Sequence, residues 1–332
     1  LTELGERSEI AIFGAEGGQQ DFVQGTFENF IGSSGLRMRS WAGAGRARPG
    51  SALAAIGYAG DSQVYGVALT YPFIRRRPFS LFGAAQLDGF QNEVRTDTGA
   101  GSTVASRDAV RSVRIALEMQ AFDTFIPYLL PATTTGHVRL HRGISALGST
   151  ANNDPDATRA ESQFDYSKMT FELLRNQLLF DPIEGWTLGL QGLFAGQYSN
   201  DVLPQVEKFY LGGMRLNRGY YAGQVTGDSA FSYSLELQLS TRLELPGDAP
   251  WGIGNQLGVQ FYGFWDQGRA WQNLATDANQ RISSYGGGVR LNLSDSLQLE
   301  FEGVRRDNLQ PSGQGEDPLP RDAFFFRTLL RF

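Results

Sequence analysis

The chain has 332 residues, of which 41% are apolar and 12% aromatic, and its formal net charge is −6. No run approaches the roughly 18 uncharged apolar residues of a membrane helix, which excludes a helical membrane protein. The acidic balance argues against nucleic acid as a partner. Cysteine is absent, while the 41 glycines and the many aromatic residues suit strand bends and the two interfaces of a membrane barrel.

The first 73 residues contain several strand-like segments, near residues 8–14, 20–31, 36–45, 51–60 and 62–73. Gly60, Asp61 and Ser62 form either a tight turn between two strands or a bulge within one longer strand. From residue 79 to the C-terminus, the alternation of apolar and polar residues predicts ten further strands. The pattern alone therefore predicts 14 to 16 strands.

Residues 231–245 show the clearest alternation, with Leu235, Leu237 and Leu239 on one side and Glu236 and Gln238 on the other. A strand of this length exceeds the usual 5–6 residues or so of soluble sheets and fits a tilted membrane strand. The same alternation recurs at residues 110–121, 168–173, 186–191, 257–262, 284–293 and 297–302. We therefore predict an all-β membrane protein, a closed antiparallel barrel with lipid outside and a polar lumen.

The predicted connections fall into two length classes, as barrel loops do. Residues 74–78, 181–185 and 294–296 are short and fit periplasmic turns. Residues 91–107, 148–163, 199–229 and 307–321 are long and polar, which is typical of the extracellular side.

The last ten residues form another alternating segment, with Phe324 and Phe326 on one face and Arg327 and Arg331 on the other. The chain ends in Phe332. A terminal phenylalanine after alternating apolar residues resembles the signal by which bacterial outer-membrane proteins are presented to the barrel-assembly machinery. We therefore expect a Gram-negative outer-membrane location, with Phe332 as the assembly signal.

The sequence carries no recognisable catalytic or metal-binding pattern. His137 and His141 are the only histidines, and on a strand their backbones lie about 13 Å apart, too far for one metal ion. No nucleophile elbow, phosphate-binding loop or zinc-protease motif is present. The glycines at 286–288 indicate close strand packing rather than a phosphate site. We expect neither an enzyme nor a metal or cofactor.

Two short motifs lie in the C-terminal half of the chain. The first comprises Gly212, Gly213, Arg218, Gly219 and Tyr220 in the longest loop, and the second comprises Phe264, Asp266 and Gly268. Their order and spacing resemble the TpsB family, the outer-membrane transporters of two-partner secretion. That family has a Gly-Gly before an Arg-Gly-aromatic tip on the sixth extracellular loop, and a Phe-x-Asp-x-Gly on the second strand after it. Residues 60–77 and Phe332 also match, whereas Asn217 replaces an often aliphatic residue.

The resemblance implies a barrel of 16 strands over residues 1–332, with loop 199–229 folded into the lumen and Arg218 paired with Asp266. Alternation independently places Asp266 on the polar side, with Gln260 and Tyr262. A carboxylate there can form a charge-assisted, bidentate pair with a loop arginine, and glycines let the loop bend tightly. The alternative is that both are ordinary lumenal charges.

The resemblance implies an outer-membrane pore of the haemolysin secretion/activation kind. Such a pore exports an unfolded TpsA-type exoprotein, an adhesin or haemolysin, from the periplasm to the cell surface without nucleotide. Its expected partners are that exoprotein, outer-membrane lipid and lipopolysaccharide, and the barrel-assembly machinery. The alternatives are a passive diffusion porin, the barrel of an outer-membrane assembly factor, and a patatin-type autotransporter barrel.

Family members carry a plug helix and two periplasmic POTRA domains ahead of the barrel. No signal peptide and no such domain fits before Leu1. We therefore expect the chain to be the barrel portion of a longer protein. Upstream sequence distinguishes the alternatives: two POTRA domains indicate TpsB, about five an assembly factor, and a lipase domain an autotransporter.

Overall fold

The computed structural model describes residues 5–15, 19–50, 54, 57–97, 101–123, 130–244, 256–294, 296–311, 313 and 317–331. Within these residues the secondary structure is almost entirely β. The strands are β1 (Arg7–Gly14), β2 (Gln20–Ile31), β3 (Leu36–Ala47), β4 (Ala59–Arg76), β5 (Phe79–Asp97), β6 (Ser102–Asp123), β7 (Ala132–Gly143), β8 (Ser167–Ile183), β9 (Trp186–Ser199), β10 (Phe209–Leu211), β11 (Val225–Gly227), β12 (Ser229–Glu244), β13 (Gln256–Trp271), β14 (Gln280–Asn292), β15 (Leu297–Arg306) and β16 (Asp322–Leu330). In this part of the chain no helix has the length and apolar character needed to cross a membrane.

Fourteen of these strands form one antiparallel sheet in which each strand pairs with the next of the fourteen along the chain, so that β9 pairs with β12. β10 and β11 form a separate two-stranded sheet. The described residues thus contain sixteen strands. The prediction that all sixteen are neighbours in one sheet is corrected, since fourteen lie in the main sheet and two in the small one. The ten strands predicted after residue 79 are all in the main sheet. The difference arises before residue 79, because β4 runs without a turn through Gly60 and Ser62, which lie opposite Ala47 and Gly45. Of the predicted strand near residues 51–60, residues 51–53, 55 and 56 lie outside the described residues.

The two faces of the sheet differ in exposure as the alternation predicts. Leu237 on β12 and Phe326 on β16 are 49% and 62% exposed, whereas Ser234, Glu236 and Asp266 on the opposite face are buried. Of the apolar residues expected on the outer face, Val259 differs, since it is buried. We call the side that carries Glu236 and Asp266 the polar face.

Closure of the sheet is not seen within the described residues. There, β1 pairs only with β2, and β16 pairs only with β15. A closed barrel needs a ladder of hydrogen bonds between its first and last strands. Closure therefore stays a prediction, and Phe332 lies outside the described residues.

The connections partly follow the predicted length classes. The connections from β4 to β5, from β8 to β9 and from β14 to β15 are short, whereas those from β7 to β8, from β9 to β12 and from β15 to β16 are long. The predicted loop 91–107 is wrong, because β5 continues to Asp97 and β6 starts at Ser102. Its polar residues form a ladder rather than a loop, with Glu93 and Arg95 as an ion pair at 2.6 Å.

Candidate functional site: the arginine of the long loop

The long loop, residues 200–228, contains a short antiparallel ribbon. In this ribbon β10 pairs with β11, so that Phe209 lies opposite Gly227 and Leu211 opposite Val225. Leu211 and Val225 are fully buried in a cluster that includes Ile282 of β14. Apolar packing therefore fixes the ribbon against the sheet, and residues 212–224, the tip, extend from its far end.

Glycines allow the tip to turn where the sequence predicted a bend. Gly212 and Gly213 have φ angles of 101° and 102°, a region that side chains with a Cβ rarely adopt. A Cβ on Gly212 would lie 2.1 Å from the carbonyl oxygen of Tyr221. Gly213 N–H donates to the carbonyl of Tyr220 at 2.9 Å, which closes the tip on itself.

Arg218 and Asp266 lie together in a bidentate pair, which we call the tip ion pair. Arg218 Nε donates to Asp266 Oδ2 at 2.9 Å, and Nη2 donates to Oδ1 at 3.0 Å. The backbone N–H of Arg218 donates to the same Oδ2 at 2.9 Å, and the Ser234 hydroxyl donates to Oδ1 at 2.6 Å. The carboxylate thus receives four hydrogen bonds from protein groups, which is how a buried charge is stabilised.

The remaining donors and the face of the guanidinium are also occupied. Nη1 of Arg218 donates to Glu236, and the guanidinium carbon lies 3.6 Å from the ring centroid of Phe264. Arg218 is 7% exposed and Asp266 is fully buried. Burial disfavours the charged form of Arg218, but the hydrogen bonds to Asp266 and Glu236 outweigh it and raise the pKa of the guanidinium. The arginine is therefore a permanent cation held between two carboxylates.

Glu236 extends the pair into a wider charge network on the polar face. Its carboxylate accepts from Arg290 Nη1 at 2.6 Å, and Arg290 Nε donates to Glu300 at 2.8 Å. Arg290 also lies over the Tyr262 ring, 3.8 Å from its centroid. Sequence reasoning placed Glu236 on the polar face but gave it no role. The available signal was its position on β12, on the same face as Ser234 and two residues after it, beside the strand that carries Asp266.

Gly219 and Tyr220 fix the tip on the far side of Arg218. Gly219 has a φ of 91°, and a Cβ there would lie 2.5 Å from Val304 Cγ1. Its carbonyl accepts from Arg306 Nε. The Tyr220 hydroxyl donates to the carbonyl of Ser283 at 2.8 Å. Both predicted residues therefore contact the sheet, on strands β14 and β15.

Gly268 and Asn217 meet at a contact that the sequence did not reveal. Asn217 is fully buried with a φ of 60°, and its Oδ1 accepts from the Ser232 hydroxyl at 2.9 Å. A Cβ on Gly268 would lie 2.5 Å from that Oδ1. The glycine of the second motif thus leaves room for the residue that precedes Arg218. This contact gives Asn217, the departure from the family pattern, a defined place.

The start of the long loop is attached to strands β6 and β8, at a distance along the sheet from Asp266. Glu207 accepts from Lys168 Nζ of β8 at 2.6 Å and from Arg114 Nη2 of β6 at 3.2 Å. Arg215 of the tip donates to Glu172 of β8. Because Arg218 is bound to β12 and β13, the loop lies across the polar face from β6 to β15.

The two histidines lie on β7, next to β8. His141 Nε2 lies 3.1 Å from the Thr170 hydroxyl of β8, and His137 lies opposite Glu172 in the ladder. Within the described ranges, no three potential metal ligands gather.

A protein-family model described as "Haemolysin secretion/activation protein ShlB/FhaC/HecB" matches residues 53–291. That range includes the complete long loop and both sequence motifs. No curated protein matches the chain in sequence.

Solved structures of bacterial membrane barrels share the fold. CdiB from Acinetobacter baumannii is 15% identical with a TM-score of 0.64, over 94% of this chain and 50% of that one. CdiB from Escherichia coli is 15% identical with a TM-score of 0.61, over 98% and 59%. BamA from Haemophilus ducreyi, solved without POTRA domains 1–3, is 13% identical with a TM-score of 0.57, over 97% and 64%. The chain thus spans between half and two thirds of these structures.

Proposed function

Because the chain belongs to the haemolysin secretion/activation protein family ShlB/FhaC/HecB, we propose that it is the pore through which an unfolded partner protein leaves the cell. The family consists of Gram-negative outer-membrane transporters of two-partner secretion, not of enzymes. The proposed partner is a TpsA-type exoprotein of the adhesin or haemolysin kind. Export proceeds without nucleotide and draws on the free energy of folding and binding outside.

In this proposal residues 1–332 form a closed barrel, and residues 199–229 lie within its lumen. The tip ion pair carries the proposal, since it binds a loop between two extracellular strand ends to the polar face of β13. A loop in that position narrows the passage at rest. The motif residues Gly212, Gly213, Gly219, Tyr220, Phe264 and Gly268 would act by shaping and supporting the loop around Arg218.

The experiment is a secretion assay on Arg218→Ala and Asp266→Asn variants with the cognate exoprotein. Arg218→Ala leaves the buried Asp266 carboxylate without its cation, which costs about 3–5 kcal/mol for a buried pair. Asp266→Asn removes one of the two carboxylates that hold Arg218 and leaves it paired with Glu236. We expect secretion to fall while the amount of assembled barrel stays normal. The matched control is Asp322→Asn, because its ion pair with Arg305 is long, at 3.8 Å, and exposed.

Normal export by Arg218→Ala at normal barrel levels would contradict the proposed role of the tip ion pair. The alternatives have different signatures. A general loss of outer-membrane proteins after gene deletion would indicate an assembly factor, whose BamA-type fold the chain shares. An unchanged amount of secreted exoprotein, together with altered uptake of small solutes, would indicate a diffusion porin.

Phe332 is proposed as the signal read by the barrel-assembly machinery, in a membrane of phospholipid and lipopolysaccharide. Deleting it should lower the amount of folded barrel without changing transport per assembled molecule. Heat-modifiable electrophoretic mobility in outer-membrane fractions measures the folded amount. Deleting Arg331 alone, with Phe332 kept as the last residue, is the length-matched control. Equal folded barrel in the Phe332 deletion and the wild type would remove the proposal.

A further inference from the structure

A second buried ion pair lies at the outer end of the sheet, away from both sequence motifs. Arg159 Nη1 donates to Asp228 Oδ1 at 2.6 Å, and Nη2 donates to Oδ2 at 2.9 Å. Arg159 is 7% exposed and Asp228 is fully buried, so this pair is as sheltered from solvent as the tip ion pair. We call it the outer ion pair.

The outer ion pair joins three loops that are distant in sequence. Asp228 ends the long loop, and its carboxylate also accepts from the backbone N–H of Leu203 at 2.9 Å, near the start of that loop. It accepts from the N–H of Asn273, in the β13–β14 loop, at 2.7 Å. Arg159 belongs to the β7–β8 loop and donates in addition to Asp277 at 3.0 Å. One carboxylate therefore closes the long loop at its base and ties it to its neighbours.

Hydrogen bonds and apolar packing both hold the base of the long loop in place. Burial opposes the ionised form of Asp228, but the hydrogen bonds from Arg159 and from the two backbone N–H groups outweigh it, so its pKa lies below the ordinary value. Leu203 is fully buried in a cluster with Phe164 and Val110. The base of the loop thus combines a satisfied charge with an apolar contact.

Asp228 is connected to Arg218 by the ribbon of β10 and β11. Gly227, the residue before Asp228, pairs with Phe209, and the ribbon continues to Leu211 opposite Val225, where the tip begins. Gln272 Nε2 donates to the carbonyl of Thr226 at 2.6 Å, which ties β11 to the β13–β14 loop. A rotation at Asp228 would therefore displace the tip and its arginine.

We propose that Arg159 and Asp228 are positioning residues of the pore, which set the base of the long loop so that Arg218 meets Asp266. This inference rests on the proposed function. It means that Arg159, from the β7–β8 loop, helps to hold the long loop in the position that narrows the pore. Their effect on transport is exerted through the tip ion pair.

The test is single-channel conductance of the purified chain in planar lipid bilayers, without exoprotein. Asp228→Asn keeps the size of the side chain and removes its charge, and Arg159→Lys keeps the charge but loses the two-pronged contact. We expect Asp228→Asn to raise the mean conductance to that of Arg218→Ala, with a smaller rise for Arg159→Lys. The control is Asp61→Asn, whose pair with Arg46 is exposed and should leave the conductance unchanged.

The double variant Arg218→Ala with Asp228→Asn separates positioning from a general structural role. If Asp228 acts through the tip, the double variant has the conductance of Arg218→Ala alone. A further rise beyond that value, or a wild-type conductance in Asp228→Asn, overturns the inference. If Asp228→Asn does not assemble, Arg159→Lys decides by the same comparison. A wild-type chain that forms no channel would overturn the proposed function instead.

Discussion

At the scale of single residues, the site depends on a few positions where a side chain is excluded. Arg218 reaches Asp266 because its neighbours in the chain, Asn217 and Gly219, lie in close contact with the main sheet. Gly219 approaches Val304 of β15, and Gly268 leaves room for Asn217. The motif glycines are thus not merely flexible, since two of them mark places where the loop and the sheet are in contact.

Gly219→Ala tests this reading. The φ of 91° disfavours alanine, and its Cβ would lie 2.5 Å from Val304 Cγ1. Strain of this kind is worth about 1–3 kcal/mol, so we expect a weaker tip contact, seen as lower secretion and higher conductance. Gly192→Ala is the control, because a Cβ there meets its nearest atom at 3.7 Å. Equal conductance in both variants would show that the tip tolerates the side chain.

At the scale of strands, β14 supports the charge network because glycines leave space at two of its positions, Gly286 and Gly288. Tyr262 and Phe264 of β13 lie opposite Gly288 and Gly286 in the ladder. The Tyr262 hydroxyl reaches across β14 and lies 2.9 Å from carboxylate oxygens of both Glu300 and Glu302 on β15. The two rings form the surface on which Arg290 and Arg218 stack.

Gly288→Ala should disturb this surface. Its Cβ would lie 2.2 Å from the carbonyl of Phe301 and 2.7 Å from the Tyr262 hydroxyl. Overpacking of this kind typically costs about 1–3 kcal/mol, and we expect a lower unfolding temperature in heat-modifiability gels. Gly263→Ala serves as control, since its Cβ would meet only the carbonyl of Gly286 at 3.8 Å. Unfolding of both variants at one temperature would refute the packing argument.

The strands show why sequence reasoning succeeded in one half of the chain. In β12, and at residues 257–262 and 297–302, the alternation fixes both the element and its face, because a shift of one residue would reverse every side chain. Near residues 60 and 91–107 the alternation is weaker, and polar residues are compatible with a loop or a strand. Only the ladder partners of Gly60 and Arg95 distinguish the two.

The contacts of the site divide in a similar way. Arg218 and Asp266 were predictable together, because a family motif names both and the alternation places Asp266 on the polar face. The outer ion pair carries no such signal. Arg159 and Asp228 lie 69 residues apart in two loops without periodicity, and only the fold brings them together.

At the scale of the molecule, the main sheet has one face rich in exposed apolar residues, while the opposite face carries the buried charges Glu236 and Asp266. A membrane-spanning sheet cannot leave an open edge in hydrocarbon, since unpaired backbone groups there cost several kcal/mol each. Together with the family, this supports the proposal that β1 and β16 meet in the membrane. The sheet's charge network then lies within the lumen.

Two neighbouring substitutions on β12 test that orientation. Leu237 lies near the middle of the strand and is 49% exposed on the apolar face, whereas Gln238 contacts Glu236 on the polar face at 2.8 Å. An arginine at the lipid-facing midpoint of a barrel costs about 2–4 kcal/mol. We therefore expect Leu237→Arg to reduce the folded barrel in outer-membrane fractions, and Gln238→Arg to assemble normally, because its charge can pair with Glu236. The reverse result would mean that the charged face is turned to lipid, which is incompatible with a polar pore.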